Sequence, residues 1–431
     1  KLAKLHLSEK SMVLYDISSS YVEGEHCPLA KFGHNRDKKD GKKIIVYGLM
    51  TDEVGRPISI QAYPGNTADS TTIPDQVTKI RNQFGLEEIT LVGDRGMLTG
   101  TQIAKLKQYP GIRHISALRG ESIRQLIEHG KVNRSLLDEM QLAEIVSDEF
   151  PDERLIVCYN PLLEKRRKNQ REDLLVATEK LLTDLAQRIL KRHDRGKPYS
   201  DVEIGIRVGK VADKFHVKKH VVIEIKDGQF SFHRNSESIQ RESELDGLYV
   251  IRTNVPTERR ASADVVRDYK RLADVEKSFR TIKTTLLDIR PIHHHLEDRV
   301  RAHFLICMLS YYVVWHLRRA WSEHLFSDEN LDETRANRNP VLTATPNENV
   351  KNKKTHKARD NSHDHSADSE TNPPTQSFRT LLNRLATICL TQCQIKNENE
   401  NIRFNKITTP DNFQNELIKQ IKQINPTTDS N

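Results

Sequence analysis

The sequence predicts a mixed α/β fold, a sheet flanked by helices, whose chain is interrupted by a strand-rich insertion. Three observations predict it. Over residues 11–120 short apolar runs alternate with helical patterns. Residues 160–193 read as one long, charged, amphipathic helix of strong helix formers. From Val202 to Asn254 the apolar period changes to two.

Taken in order, SMVLYDISSSYV reads as a strand, and KKIIVYGLMTDEVGRPISIQAY as two strands joined by a turn at Asp52 to Gly55. TTIPDQVTKIRNQFG reads as a helix with a glycine stop, EITLVGD as a buried strand, TGTQIAKLKQY as a helix and HISAL as a strand. Three strands, helix, strand, helix, strand is the order of a ribonuclease-H-like core, whose first part we assign to residues 1–120. The insertion takes residues 121–255: the long helix, then VEIGIRVGKV, HVVIEIKDGQFSFHR and GLYVIRTNV as strands, with Asp227-Gly228 as a hairpin turn. Helical patterns resume at Ser262 and make residues 256–325 the helical end of the core. Residues 326–376 shift to Asn, Asp, Lys, Ser, Thr, His and Pro. With hardly any apolar side chain to offset the entropy of ordering, they predict a disordered polar linker. Residues 377–431 follow as a short helix, SFRTLLNRLATICLTQC, and a polar tail.

Apolar residues are 36% of the 431, enough for a core, and 68 Lys and Arg against 60 Asp and Glu leave a net charge of +8. That balance favours a polyanionic partner, nucleic acid first. Five scattered cysteines, Cys27, Cys158, Cys307, Cys389 and Cys393, form no paired C-x-x-C motifs, which excludes a zinc finger or a secreted disulfide framework and fits reduced thiols in a cytoplasm. The longest apolar stretch, Ala302 to Leu317, falls short of the roughly 20 residues that cross a bilayer, so it reads as a buried core helix and no membrane partner is expected. No charged-then-apolar leader opens the chain, and Lys1 stands where Met would, so a trimmed or incomplete product is expected.

The chemistry centres on YKRLADVEKSFRTIKTTLLDI, Tyr269 to Ile289. At 100° per residue, Leu272, Val275, Phe279, Ile282 and Leu286 form a core stripe, while Tyr269, Glu276, Arg280 and Lys283 share the adjacent face. A carboxylate between cations and a phenol suits phosphodiester chemistry, the acid holding an ion and the cations holding phosphate oxygens. An ordinary solvated face with Glu276 paired to Arg280 fits the same spacing. Asp16 follows the run MVLY and Asp94 closes ITLVG, each an acid at a strand edge or end, where open α/β sheets place ligands. Two such aspartates and a helical glutamate suit a pair of metal ions about 4 Å apart. Singly, Asp16 also reads as a turn residue and Asp94 as a helix N-cap.

LVGDRGM around Asp94, YDISSSYVEG around Asp16, and Y-x6-E-x6-K through Tyr269, Glu276 and Lys283 resemble the transposases of bacterial insertion sequences. The match is to the subgroup whose ribonuclease-H-like core is interrupted by a strand-rich insertion before the glutamate. YNPLLEKRRKNQREDLL, ELDGLYVIRTN and RPIHHHLEDRVRAHFLICMLSYYV extend it over roughly Ser11 to Leu317. The resemblance implies that Asp16, Asp94 and Glu276 are catalytic and bind magnesium or manganese, two ions together. The metals would activate water to free a 3′ hydroxyl at the element end, and that hydroxyl would attack target DNA. Tyr269 and Lys283 would contact DNA phosphate. A homodimer on paired element ends, in a bacterial cytoplasm at the nucleoid, is implied likewise. The family's arginine three residues after the tyrosine is here Leu272; Arg271 projects about 100° away, leaving Arg280 as the candidate DNA-binding cation. The insertion has no tryptophan, since the two are Trp315 and Trp321, which makes Phe230, Phe232 or Tyr249 the candidate for stacking a flipped base. The alternative function is a catalytically inactive remnant that only binds DNA, and a structure-specific nuclease is a third.

His293, His294 and His295 diverge in direction, so a metal site there is not expected. Asn66 and Asp69 read as caps of the next helix, and the basic run 165–171 as a solvated face or a DNA contact.

Overall fold

The computed structural model describes residues 1–284, 287–360, 375–396 and 401–425. It divides into one unit of residues 1–116, 267–338 and 344–431 and another of residues 117–266 and 339–343.

In the first unit a short helix, α1 (Leu2–His6), leads into β1 (Met12–Tyr21), which pairs antiparallel with β2 (Ile44–Asp52); β2 pairs in turn with β3 (Pro57–Pro64). After α2 (Ile73–Lys79), prolonged by a π-helical turn (Ile80–Phe84), β4 (Ile89–Val92) runs parallel to β1. Then come α3 (Gly100–Leu106), with the Thr99 hydroxyl as N-cap, and β5 (Ile112–Ala117), parallel to β4. The order β3-β2-β1-β4-β5 is that of a ribonuclease-H-like sheet. β1 is paired with β4 from Met12 to Leu14 and with β2 from Val13 to Tyr21, and Ser18, Ser19 and Ser20 stay in the β2 ladder despite their polarity and burial. The Ser20 hydroxyl meets the Tyr47 hydroxyl at 3.0 Å, and the Ser19 hydroxyl reaches the His34 carbonyl at 3.3 Å. Opposite Ile17, Gly48 has no side chain because a Cβ there would sit 2.1 Å from the Tyr15 hydroxyl.

The second unit holds α4 (Gly120–Glu128), β6 (Leu142–Ile145), β7 (Arg154–Tyr159), α5 (Pro161–Asp194), α6 (Asp201–Asp213), β8 (Val221–Lys226), β9 (Gln229–Arg234), α7 (Ser236–Ser243) and β10 (Leu248–Thr253). VEIGIRVGKV, expected as a strand, is α6. Ile204, Val208 and Ala212 bury at helical spacing, and Ser200 and Glu203 form a capping box at its start. The hairpin at Asp227-Gly228 has both residues at positive φ, 52° and 75°, as a two-residue turn requires. Phe230 and Phe232 are half-buried against the core that α5 and α6 build with this hairpin. In the basic run, Arg171 is paired with Asp246 and buried, Arg167 donates to the Leu245 carbonyl at 3.0 Å, and Lys165, Arg166 and Lys168 are exposed.

The chain returns to the first unit within α8 (Ser262–Lys270), followed by α9 (Leu272–Lys283) and α10 (Glu297–Ala320). The single helix expected from Tyr269 to Ile289 is thus two helices, broken at Arg271 and ending at Lys283. Val275, Phe279 and Ile282 are buried as the stripe predicts, Leu272 is half-buried, and Leu286 lies outside the described residues. α10 buries only one face, Val300, Phe304, Cys307, Met308, Tyr311 and Val314, and leaves Leu305, Ile306, Leu309 and Val313 exposed, which corrects the buried core helix. By length and composition alone α10 is apolar enough to cross a membrane. The stretch expected to be disordered contains α11 (Leu331–Asn337) and α12 (Glu348–Asp360), and Arg335 reaches both oxygens of Asp274 at 2.8 Å; residues 361–374 of it lie outside the described residues. Downstream, the expected helix stops at Leu385. α13 (Phe378–Leu385) precedes a hairpin, β11 (Leu390–Lys396) and β12 (Asn401–Ile407), and then α14 (Asn412–Gln423), in the stretch read as a polar tail.

Candidate active site

Parallel strands with a common register bring equivalent residues side by side. Leu14 is opposite Val92 in the β1–β4 ladder, so two residues further along each chain Asp16 and Asp94 emerge beside one another on one face. Asp16 is therefore in the middle of β1, neither at a strand end nor in a turn, because the ladder continues through the serines. Asp94 lies two residues past the end of β4, and it does not cap a helix. Its Oδ1 accepts from the Gly96 and Met97 amides at 3.0 and 2.8 Å, which fixes the carboxylate, and its Oδ2 has no hydrogen bond among the described residues.

Glu276 projects from α9, which packs against β1, and is exposed. Among the described residues no ion pair joins it to Arg280, so the paired-surface reading does not hold. Its charge acts on the other acids. Burial pushes the Asp16 carboxyl up to about 7; the Ile17 amide, 2.8 Å away, opposes this, Asp94 adds to it, Arg36 opposes and Glu276 adds again. Tyr269, at the end of α8, is pushed up to about 12 by burial first and then by Asp94, with Arg95 opposing and Glu276 and Asp16 adding. The structure thus gathers Asp16, Asp94, Glu276 and Tyr269 into one electrostatic neighbourhood. Their ligand atoms do not all lie within 4.8 Å of one another, a closeness that Glu323, His324 and Glu416 reach among the described residues.

The donor set fits a hard divalent cation: three carboxylates, oxygen only, one of them raised by burial first and then by the other two.

The predicted cations lie differently. Lys283 donates to the Ser19 carbonyl at 2.6 Å and pairs with buried Asp37 at 2.9 Å, where Arg290 also binds. Its ammonium is engaged at the far end of β1. Arg280 is exposed and has no ion pair among the described residues. Sequence reasoning missed Arg36, which acts on Asp16, and Arg95, which acts on Tyr269. Arg95 adjoins Asp94 in the motif itself, whereas Arg36 comes from a loop without periodicity and is held by both oxygens of Asp69 at 2.7 to 2.8 Å. That ion pair is what Asp69 does in place of the helix cap expected of it. His294 and His295 stand edge-on to His303 and His26, ring centroids 5.3 and 6.2 Å apart, and join no group of metal-ligand atoms among the described residues.

A sheet ordered β3-β2-β1-β4-β5, with acids on its central strand, past the neighbouring parallel strand and on a following helix, defines a ribonuclease-H-like protein. The family model described as the transposase DDE domain matches residues 9–313. The chain belongs to that family. Among solved structures it is similar to a piggyBac transposase synaptic complex with hairpin DNA determined by cryo-EM, at 9% identity and a TM-score of 0.36. That alignment covers 89% of this chain and 63% of the other, so the chain spans less than two thirds of that transposase's length. No curated protein sequence matches the chain.

Proposed function

We propose that this chain is a metal-dependent DNA transposase of a bacterial insertion sequence, cutting and joining double-stranded DNA at element ends and target, as a homodimer at the nucleoid. Asp16, Asp94 and Glu276 are the catalytic residues in this reading, and they hold magnesium or manganese, two ions together. The observation that supports it most is the parallel register that sets Asp94 beside Asp16, with the charge of Glu276 acting on the same carboxyl. Metal ions bound there would neutralise charge on the scissile phosphate and lower the pKa of the attacking hydroxyl. The Tyr269 phenol, held neutral by burial, keeps its proton for a phosphate oxygen, and Arg95 offers a cation on the same side. Arg280 remains an exposed cation of α9 for the DNA backbone.

Incubation with labelled element ends and magnesium tests this: cleavage supports the enzyme, and binding without cleavage in both magnesium and manganese overturns it in favour of a DNA-binding remnant.

Protons compete with the metal. With the Asp16 carboxyl at about 7, the acid is mostly protonated below that pH and must lose its proton when the ion binds. Apparent metal affinity is therefore expected to fall by up to about tenfold per unit as pH drops below 7, and to level off above it. Titrating the manganese needed for half-maximal cleavage between pH 6 and 8.5 checks this, and a flat profile contradicts it.

A further inference from the structure

The turn after α10, Ser322–His324, faces one side of α14, where Glu416 and Gln420 lie four residues apart and so share a face. His324 Nε2 is 3.3 Å from Glu323 Oε1 and 4.0 Å from Glu416 Oε1, and the ligand atoms of these three residues all fall within 4.8 Å of one another. The His324 ring is nearly covered, its side chain 11% exposed, and stands edge-on to Phe413 with centroids 5.0 Å apart. Gln420 completes the cluster. Its Nε2 donates to Glu323 Oε1 and lies 3.4 Å from His324 Nε2, while Oε1 of the same amide is buried with no hydrogen-bond partner. An orphaned buried oxygen is costly, and turning the amide over would place Oε1 where Nε2 now stands, among two carboxylates and an imidazole.

We infer that Glu323, His324, Glu416 and Gln420 form a binding site for a divalent transition metal of the zinc class, separate from the three catalytic acids. One imidazole nitrogen and three oxygens make a closed set of four, as structural zinc sites have, and the imidazole disfavours magnesium or calcium. Tetrahedral zinc with bonds of about 2.0–2.1 Å has ligand atoms about 3.3 Å apart. The spacings of 3.3 and 3.4 Å already match, the Glu416 oxygen at 4.0 Å has less than an ångström to move, and the close Gln420–Glu323 contact opens by about an ångström when the amide turns. Neutral His324 binds through Nε2 and carries its proton on Nδ1. The ion ties α14 to the end of α10, a junction already marked by the hydrogen bond from Trp321 Nε1 to the Leu417 carbonyl at 3.3 Å.

The test uses the whole chain, stripped with chelator, dialysed against zinc and counted by atomic absorption. The Glu323→Gln/Glu416→Gln double variant is expected to hold one equivalent of zinc fewer than wild type, and Glu276→Gln to keep that equivalent. Both changed carboxylates are about half exposed, at 53% and 51%, and the amides are isosteric, so folding is not at stake. His324→Gln, which removes the nitrogen ligand, is expected to lose the same equivalent. Cobalt in place of zinc is expected to give a tetrahedral visible band that only these variants lose. Equal zinc content in wild type and the double variant, or a loss confined to Glu276→Gln, overturns the site.

Discussion

Replacing Asp94 with asparagine is expected to slow strand cleavage at element ends about a thousandfold, equivalent to about 4 kcal/mol of transition-state stabilisation, with DNA binding little changed. The substitution is clean. Asparagine retains an Oδ1 that can accept from the Gly96 and Met97 amides, so the turn after β4 survives and only the negative charge is lost. A second effect follows from the shared field. Asp94 is one of the groups raising the Asp16 carboxyl, so its neutralisation lets Asp16 ionise more readily, and the change in rate reports a missing ligand rather than a poorly ionised neighbour. Single-turnover cleavage with saturating manganese measures it. A rate within tenfold of wild type would remove Asp94 from the chemistry.

Arg56→Met is expected to destabilise the first unit by about 3–5 kcal/mol, because it leaves a buried carboxylate without its counter-charge. Arg56 and Asp52 are 2% and 3% exposed. The guanidinium Nε donates to Asp52 Oδ2 at 2.8 Å, and the backbone amides of Arg56 and Val54 donate to Oδ1 at 2.8 and 3.2 Å. Arg56 also lies over the Trp315 ring, 5.3 Å from its centroid, so its loss removes packing as well as charge. Burial already raises the Asp52 carboxyl, and Arg56 is the first group opposing that rise. Without the arginine the folded state favours the protonated acid still more. The penalty is then full above the folded-state value and shrinks as pH falls towards the unfolded one. Urea unfolding should show a lowered midpoint with an unchanged slope, and a smaller deficit at pH 5 than at pH 8.

The core of the fold was legible where alternation and turn chemistry agreed. β2, β3, β4, β5, α2 and α3 come from runs bounded by Gly, Pro or a capping hydroxyl, and they fall where the sequence puts them. α6 was not legible from period alone. Its V-E-I-G-I-R-V alternation imitates a strand, and Gly205 and Gly209 weaken a helix, yet packing of Ile204 and Val208 into the α5 core prevails. The readable signal there was the Ser200…Glu203 capping box. β6 and β7 are unheralded because LAEI and RLIVCY are too short or too uniformly apolar to show a period. α12 forms in a segment with almost no apolar residues, where composition argues for disorder.

The site divides in the same way. Asp16, Asp94 and Glu276 lie in segments whose motifs are local, and the parallel register supplies the one fact no motif contains, that the two aspartates stand side by side. Spacing on a single ideal helix placed Tyr269 correctly beside Glu276 but for an incomplete reason, since a break at Arg271 intervenes. Lys283 shares the helical face with Glu276 in projection. Its long side chain nevertheless turns to Asp37, a partner 246 residues away in sequence that no helical wheel contains.

The pairing of β1 implies an asymmetry between the acids. Asp16 lies opposite Leu49 in the β2 ladder, while the β4 ladder ends two residues earlier at Leu14, so shifting its backbone means breaking hydrogen bonds to β2. Asp94 is tied by its own turn. Glu276 belongs to a helix held by side-chain packing rather than by a ladder: Val275, Phe279 and Ile282 are buried and the Ser278 hydroxyl donates to Tyr311 at 2.8 Å. The backbone of Asp16 and the helix of Glu276 are thus anchored by different forces, a hydrogen-bonded ladder in one case and apolar packing in the other.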